Sequence, residues 1–555
     1  MTAMAPPQDR APIELPHRTR MEILGAVLLG IFLAALDQTI VGTALPVIVT
    51  DLQGNDVYIW AFTAYLVTAT VSGPIYGKLS DLFGRRPLFM IGVVVFLLGS
   101  ILSGLSQEMW QLIAFRGLQG LGAGALFPIA LSIIGDIFAP SERGKYQGFF
   151  GAVFGLSSLL GPALGGLITD NFGWQWIFYV NVPIGAVVLY IIWRTLPTVR
   201  DRNADRNIDY LGASLFVAAL VPVLIGLTNK QFGEWTDPEV GGLIALGLLL
   251  GAAFVWAESR AKEPIVPLAL FRIRAFTASV LAIFLAAMGF FAAIVFLPRW
   301  YQVVAGSSAT ESGYQILPLL GGLIISAIIS GQVVARTGRY KALILGALVV
   351  LAGGLFMLTN LRPDTSRPLV WLWMAIAGLG IGPTLAVFTL VVQNSVPIRQ
   401  LGAATSNITL FQQVGGTVGL AITGSIFGSV MLEEVPRQMA ASGVPEPIVT
   451  GFSSGGGGTL NDISGVGDLG ASILADVPAQ FRPQVEPFVP AIVDAIHEAF
   501  SLATAATFGI GILTAVAAAL VVLVLLPGRR MGEGAEPEHY EMPAGRIGEL
   551  DPSTD

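Results

Sequence analysis

The feature that most constrains this 555-residue chain is a series of fourteen apolar runs, each of about the length that crosses a lipid bilayer. Hydrophobic residues make up 54% of the chain and charged residues only 12%, a balance that soluble proteins of this size do not have. We therefore predict an all-α integral membrane protein whose main solvent is lipid. The runs cover residues 24–49, 60–76, 88–105, 110–134, 149–168, 176–192, 210–228, 240–256, 275–297, 316–335, 342–358, 369–392, 403–431 and 502–526.

The lysine and arginine residues predict how these spans are oriented. With the N-terminus in the cytoplasm, the tails and cytoplasmic loops hold 23 of the 30 basic residues and the outer loops hold six. Because basic residues concentrate on the cytoplasmic side of membrane proteins, both termini are predicted to lie there. The first apolar run is too long for a cleaved signal peptide, so we interpret it as an uncleaved anchor.

An internal repeat predicts that the spans form two related halves. Three stretches recur in the same order at an offset of about 252 to 258 residues, as in transporters built from two bundles. The aligned stretches are 32–46 (FLAALDQTIVGTALP) with 284–298 (FLAAMGFFAAIVFLP), 77–86 with 331–340, and 120–124 (GLGAG) with 378–382 (GLGIG). The prediction is two pseudo-symmetric six-helix bundles plus an inserted pair, spans 7 and 8. Chance similarity among Ala-, Gly- and Leu-rich helices is the alternative.

Asp37 is the only ionisable residue in the first span. As a helix this span is about 39 Å long, so Asp37 lies near the bilayer midplane. A carboxylate at that depth costs roughly 2.5 kcal/mol or more, and it is retained when it is paired, protonated or facing a wet cavity. Such a group can load and release a proton as a cavity opens to one side and then the other. A buried Asp that only hydrogen-bonds to a neighbouring helix is the alternative.

Arg116 is the only basic residue inside a span, about seven residues from its outer end. An arginine stays charged when it is buried, so it should influence a neighbouring carboxylate or bind an anionic group. Snorkelling to the outer surface is the alternative. By these span boundaries Asp37 is the only acidic residue deep in a span, so a second proton carrier is not visible.

A specific motif, GKLSDLFGRRP at 77–87, lies in the cytoplasmic loop between spans 2 and 3. It resembles the signature loop of the major facilitator superfamily. The resemblance implies that Asp81 meets the positive end of a helix in the other half, and that Arg85 pairs with an acid at the inner end of span 4, here Asp136. These contacts would latch the inner face shut. The latch residues are Gly77, Asp81, Gly84, Arg85, Arg86 and Asp136.

Two further stretches resemble motifs of the same superfamily. RGLQGLGAG at 116–124 places Arg116 where the family has an arginine associated with proton transfer. SLLGPALGG at 158–166 resembles the antiporter motif, here Gly161, Pro162, Gly165 and Gly166. Ser157 stands where the fuller motif has a glycine, which is a mild departure. A packing helix without directional meaning is the alternative for this stretch.

The stretch LDQTIVGTALP around Asp37 resembles the first-span motif of the fourteen-span drug:proton antiporter-2 family within the superfamily. The resemblance extends over the whole chain and includes the inserted pair. It implies alternating access between the halves, with proton-coupled expulsion of hydrophobic, often cationic compounds or lipid-like molecules. For Asp37 it implies a protonatable, substrate-facing site, so that one carboxylate could bind either a cation or a proton. Arg116 is expected to belong to the same proton-coupling and substrate site.

The predicted organisation follows from these assignments. Further polar or aromatic residues are candidates for the cavity lining, with helix–helix hydrogen bonding as their alternative role: Gln38, Gln119, Tyr65, Tyr314, Gln315, Asn407, Gln412 and Gln413. The predicted segments are the cytoplasmic tail 1–22, the six-helix bundle 23–197, the inserted pair with its flanking loops 198–274, spans 9 to 13 at 275–431, a long outer loop with an amphipathic helix at 432–499, the last span 500–527 and the cytoplasmic tail 528–555.

We predict a proton-coupled exporter of hydrophobic, cationic compounds. It is expected to lie in a plasma membrane, the inner membrane of a bacterium. We expect it to act as a monomer and to bind no nucleic acid. A lipid or glycolipid exporter is the alternative, favoured if the helix in 432–499 extends the central path outward. A non-transporting sensor is less favoured because the signature loop is intact. With no cysteine and only His17, His497 and His539, no metal site or enzyme chemistry is expected. There is no ATP-binding GxxxxGK[ST] motif, so we expect no cofactor and a proton gradient as the energy source.

Overall fold

A computed structural model describes nine stretches of the chain, and their regular structure is helical throughout. Much of the two predicted tails and the glycine-rich part of the predicted outer loop, at 1–14, 529–555 and 455–468, lies outside the described residues. The described residues are 15–52, 59–138, 140–197, 209–230, 233–261, 264–397, 400–454, 469–477 and 482–528.

The N-terminal half consists of five long helices and a sixth span made of two pieces. α1 packs against α5 and α7, and α4 packs against both α2 and α3. The helices are α1 (His17–Asp51), α2 (Ile59–Phe83), α3 (Arg85–Gly104), α4 (Met109–Ile137), α5 (Pro140–Phe172), α6 (Trp176–Tyr179) and α7 (Asn181–Thr195).

An inserted pair, α8 (Tyr210–Asn229) and α9 (Leu243–Glu258), precedes the C-terminal half. Phe216 of α8 and Phe254 of α9 belong to an apolar cluster with Val67 and Leu410, so the pair packs where α2 of one half meets the other half. The later helices are α10 (Arg274–Val303), α11 (Ala309–Gln315), α12 (Leu317–Thr337), α13 (Lys341–Leu358), α14 (Arg367–Ser395), α15 (Leu401–Ala441), α16 (Glu446–Ser454), α17 (Leu469–Asp476), α18 (Arg482–Val485) and α19 (Val489–Leu525).

Within the described residues, twelve helical segments are long and apolar enough to cross a membrane. The chain is therefore a multi-pass membrane protein. Helices α2 and α5 are not among the twelve, although they have 25 and 33 residues and pack against α4 and α1. These two helices also make contacts between the halves, α2 with α15 and α5 with α12.

The predicted outer loop differs from the structure at both of its ends. Helix α15 continues ten residues past the predicted boundary at 431, to Ala441, and α19 begins at Val489 instead of 500. The apolar face at its start does not lie on the membrane, because Ile492, Ile496 and Phe500 are buried in the core of the C-terminal half. This segment and the last predicted span therefore form one continuous helix.

The two halves differ at the position that Asp37 occupies in α1. The aligned residue of α10 is Gly289, where an added Cβ would lie 2.5 Å from the Cα of Gly511 in α19. The C-terminal half therefore has a direct backbone contact between α10 and α19 at this place. Close approach through glycine is a common way for spanning helices to associate.

We expect Gly289→Ala to lower the unfolding temperature of the detergent-solubilised protein by several degrees, because overpacking of this kind costs about 1 to 3 kcal/mol. The matched control is Gly353→Ala in α13, where a Cβ meets nothing within 4 Å. That change should leave the unfolding temperature unchanged or slightly higher, since alanine favours a helix over glycine. Equal losses for both variants would contradict the close contact.

Candidate functional site: a buried ion pair beside a central cleft

Asp37 is fully buried in the middle of α1 and forms an ion pair with Arg116 of α4. The Nη1 of Arg116 lies 2.5 Å from Oδ2 of Asp37, and both side chains have 0% exposure. A carboxylate at this depth is retained when it is paired, protonated or facing a wet cavity, and the structure shows that Asp37 is paired. Arg116 does not snorkel to the surface.

The second carboxylate oxygen of Asp37 is held by two amides. Gln119 of α4 donates to Oδ1 at 2.7 Å, and Asn181 at the start of α7 donates to the same oxygen at 3.0 Å. Asn181 also donates to Ser100 of α3 at 3.0 Å. Helices α1, α4 and α7 therefore meet at one carboxylate, and α3 is joined to them through Asn181. Buried charge is tolerated when it is paired and hydrogen-bonded in this way.

Arg116 makes three further contacts. Its Nη1 donates to Gln119 Oε1 at 2.7 Å, and its Nε lies 3.4 Å from the backbone oxygen of Ala61. The guanidinium carbon lies 4.2 Å from the ring centroid of Tyr65 in α2, a cation–π arrangement that strengthens when water is excluded. Nη2 is buried and has no hydrogen-bond partner among the described residues.

A narrow cleft lies between the two halves, next to this ion pair. Its walls come from α1, α2 and α4 of the N-terminal half and from α15 of the C-terminal half. The lining residues are Ala34, Gln38, Tyr65, Ala69, Thr70, Gly73, Pro74, Ala123, Gly124, Phe127, Pro128, Ser406, Thr409, Leu410 and Gln413. Every one of these side chains is uncharged.

The structure separates Asp37 from this cleft, in contrast to the substrate-facing site that the resemblance implied. Gln38 lines the cleft while Asp37 does not, because adjacent helical residues point about 100° apart. Of the other cavity candidates, Tyr65 and Gln413 also line it, and Gln119 binds Asp37 instead.

The remaining cavity candidates lie elsewhere. Gln315 accepts a hydrogen bond from the indole of Trp371 at 2.8 Å, and Tyr314 beside it is 36% exposed. Asn407 is buried and donates to the backbone of its own helix, to Ala403 at 2.7 Å. Gln412 is half-buried and is not part of the cleft wall.

Asp81 meets the positive end of α15 in the other half. Its two carboxylate oxygens accept hydrogen bonds from the backbone N–H groups of Gly402 at 3.0 Å and Ala403 at 2.9 Å. These are first-turn amides of α15, whose own N-cap residue Gln400 makes no side-chain capping bond. Asp81 therefore acts as the helix cap from outside, where a negative charge also favours the helix dipole.

Arg85 joins Asp81 to α4. It lies 2.5 Å from Asp81 and 2.9 Å from Asp136, so the two acids share one guanidinium. Arg86 donates to the backbone oxygen of Trp193 within the same half.

The two glycines of this loop, Gly77 and Gly84, are required for different structural reasons. A Cβ on Gly77 would lie 2.4 Å from Ser406 Oγ and 2.8 Å from Gly402 O, so glycine allows α2 and α15 to touch. Gly84 has φ 97° between α2 and α3, a backbone conformation that favours glycine. Together with Asp81, these residues join α2 to the start of α15, where the latch is predicted.

Arg143 at the start of α5 makes a second contact across the halves that the sequence analysis missed. It is 5% exposed and donates to the backbone oxygens of Gly135 at 2.6 Å and Phe138 at 3.2 Å, and to Gln393 of α14 at 3.4 Å. In the sequence Arg143 is only one of several basic loop residues, and nothing distinguishes it. Asn181 was missed as well, although it is the only amide in the apolar run 176–192.

The antiporter stretch of α5 packs against α1. A Cβ on Gly161 would lie 2.1 Å from Thr39 Oγ1, and that hydroxyl donates to Ser157 O at 3.0 Å. Gly165 is buried, whereas a Cβ on Gly166 would meet nothing within 4 Å. The side chain of Pro162 is outside the described part of the structure. Ser157, which departs from the motif, is accommodated by a bond from its hydroxyl to Val153 O at 2.9 Å.

Two helical bundles around a central cleft, with an inserted helix pair, form the architecture of a secondary transporter. The profile of the Major Facilitator Superfamily matches residues 27–420. This chain belongs to that superfamily.

Its relatives include several named transporters. The chain is 37% identical over 495 residues to the multidrug transporter protein MdtP of Bacillus subtilis (strain 168), covering 87% of this chain and 90% of that protein. It is 34% identical to the tetracenomycin C resistance and export protein of Streptomyces glaucescens, covering 76% and 78%. A double-tryptophan mutant of XylE has the same fold, with a TM-score of 0.58 at 14% identity over 92% of this chain and 96% of that one.

A double-mutant cycle on the ion pair should show strong coupling. Arg116→Met leaves a buried carboxylate and Asp37→Asn leaves a buried guanidinium, and breaking a buried pair costs about 3 to 5 kcal/mol. Unfolding temperatures in detergent should fall in both single variants. The double variant, which buries no charge, should unfold at a higher temperature than Arg116→Met alone. Additive losses would contradict the pairing.

The absence of cysteine allows the latch to be tested with a single reporter. We expect Asp81→Asn to increase severalfold the rate at which a cytoplasmic thiol reagent labels Thr409→Cys in the cleft, because it removes the charge that caps α15. Asp170→Asn, an exposed residue at the end of α5, is the matched control and should not change the rate. Equal rates in all three proteins would show that Asp81 does not hold the inner face closed.

Proposed function

We propose that this protein is a proton-coupled multidrug exporter of the fourteen-span drug:proton antiporter-2 family. It acts as a monomer in the cytoplasmic membrane of a bacterium, with both termini in the cytoplasm. The energy source is the proton gradient, and no cofactor takes part. The relatives named for multidrug transport and for antibiotic resistance support export as the direction and drug-like compounds as the substrates.

The observation that carries the proposal is the Asp37–Arg116 pair next to the central cleft. In this structure the carboxylate is paired with one guanidinium and held by two amides, and we infer that it alternates between this paired condition and a protonated one. Protonation removes the attraction that orients Arg116, which keeps its own charge. One proton can therefore change the packing of four helices, and a gradient can drive that change in one direction.

The cleft supports hydrophobic substrates with few hydrogen-bonding groups. Tyr65 and Phe127 provide aromatic surface, while Gln38, Thr409 and Gln413 provide neutral polar groups. An aromatic face also attracts an organic cation without a formal charge on the protein. This combination is suited to lipophilic cations of varied shape, since few polar groups fix their orientation.

Alternating access follows from the contacts between halves. The Asp81 cap on α15 and the Arg143 contact to Gln393 hold the cytoplasmic side shut. Drug loading requires both to open, and release requires them to close again, while α5 and α12 and the pair α2 and α15 shift against each other.

The start of α19 gives lipid export less support than drug export. The apolar residues at the start of α19, including Ile492 and Ile496, pack into the C-terminal half. This burial favours a structural role for the extension over a track for lipid tails.

The test is export of ethidium, a fluorescent lipophilic cation, from proteoliposomes under an imposed proton gradient. The native protein should show gradient-driven export, and Asp37→Asn should reduce its rate at least tenfold, because asparagine cannot take up a proton. Asp170→Asn is the control and should export at the native rate.

Correct insertion of each variant is checked by its elution as a single species. Equal export by the native protein and Asp37→Asn would refute proton coupling at Asp37. No gradient-driven export by the native protein would refute export of lipophilic cations and direct the search to lipids.

A further inference from the structure

Tyr65 lies between the cleft and the buried ion pair. Tyr65 is one of the residues that line the cleft, and its ring centroid is 4.2 Å from the Arg116 guanidinium carbon. Its hydroxyl donates to the backbone oxygen of Ala34 at 3.3 Å, one helical turn before Asp37. A substrate in the cleft and a proton on Asp37 would therefore be separated by this one aromatic ring.

We propose that Tyr65 is the positioning residue that couples substrate in the cleft to protonation of Asp37. The inference rests on the proposed function and extends it, because it replaces direct competition for one carboxylate with an indirect route. While Asp37 is charged, Arg116 is drawn toward it and Tyr65 stacks on the guanidinium. When Asp37 is protonated, Arg116 loses that attraction and the ring moves with it, which changes the shape of the cleft.

The backbones of α2 and α4 are in close contact at Tyr65, so the Tyr65 side chain is the part that can move when the ion pair changes. A Cβ on Gly120 of α4 would lie 2.3 Å from Tyr65 O and 2.9 Å from Tyr65 Cα, so α2 and α4 are in direct backbone contact here. Arg116 is also tied to α2 through Ala61, one turn before Tyr65. A change at the ion pair therefore reaches the cleft through the ring more easily than through a shift of either helix.

Few other groups could carry the charge change. Among the described residues around Asp37, α4 contributes Arg116 and Gln119, and α7 contributes Asn181. Helix α2 contributes Tyr65, α6 contributes Phe178 against Arg116, and α5 faces α1 through the neutral Ser157. Arg116 is the single cation in this set, and Tyr65 is the residue of the set that also lines the cleft.

Linkage makes the proposal measurable. If substrate favours the charged, paired condition, binding must release protons, and protonation must weaken binding by the same factor. We would add ethidium to the detergent-solubilised full-length protein in weak buffer and measure protons released per ethidium bound, using pyranine. The native protein should release up to one proton per ethidium bound.

Three variants distinguish a coupling role of Tyr65 from a role in lining the cleft alone. Tyr65→Leu should still bind ethidium but release at least fivefold fewer protons per ethidium bound. Tyr65→Phe keeps the ring and should release the native number. Phe127→Leu is the matched control, since Phe127 lines the same cleft but lies eleven residues along α4 from Arg116. It should weaken ethidium binding and leave the protons released per bound ethidium unchanged. A native proton count in Tyr65→Leu would overturn the proposal.

A second measurement needs no substrate. The labelling rate of Thr409→Cys in the cleft, divided by that of Ser442→Cys on the exposed end of α15, should change between pH 5 and pH 9 in the native background. The ratio should be flat in Asp37→Asn and in Tyr65→Leu.

A pH dependence retained in Tyr65→Leu, or a flat profile in the native background, would overturn the coupling through Tyr65. If the native protein binds no ethidium while these profiles behave as expected, drug export as proposed fails and the Tyr65 route stands.

Discussion

The cost of placing charge where no water can reach it governs the N-terminal half of this protein. Asp37 and Arg116 are both fully buried at membrane depth, and each is tolerable only because the other is present. Their partners come from α2, α3, α4 and α7, so one polar cluster sets how these helices are rotated against one another. A proton taken up by Asp37 would leave the buried charge of Arg116 without its counter-ion.

The C-terminal half solves the same packing problem without charge. Where α1 has Asp37, α10 has Gly289, and it meets the backbone of Gly511 directly. At the offset of 258 residues, Arg116 of α4 corresponds to Met374 of α14, which is fully buried. Van der Waals contact between close backbones does not change with proton concentration. At these aligned positions the N-terminal half therefore has an ion pair and the C-terminal half has apolar contacts.

Much of this arrangement could be predicted from sequence because lipid imposes simple rules. Apolar runs had to be helices, and a charge at the midplane had to be paired, protonated or wet. The signature loop located Asp81, Arg85 and Asp136, and the structure brings these three side chains together. Their role as a latch and that of Asp37 as a proton site stay predictions until they are measured.

What the sequence could not provide was the rotation of each helix. Asp37 and Gln38 are neighbours in the chain, yet one faces the ion pair and the other faces the cleft, and only packing decides which. The same limit hid Arg143, whose contact to Gln393 joins residues 250 positions apart. The outer ends of α15 and α19 were misjudged for another reason. Beyond the apolar run the sequence becomes polar, but the helices continue because Val435, Met439 and Ile492 bury one face.

The Asp81 cap lies at one end of α15, which is a very long helix. This helix runs unbroken for 41 residues, and it touches α10 at Gly415 and Gly419, where added Cβ atoms would lie 2.3 Å from Phe284 O and 2.5 Å from Met288 Cα. From this contact the capped end at Gly402 is about 20 Å away, and the outer end at Ala441 is about 33 Å away in the other direction. The contact with α10 divides α15 into two arms of unequal length. If α15 turned as a rigid rod about this contact, a small displacement of the capped end would be accompanied by a larger and opposite one at Ala441.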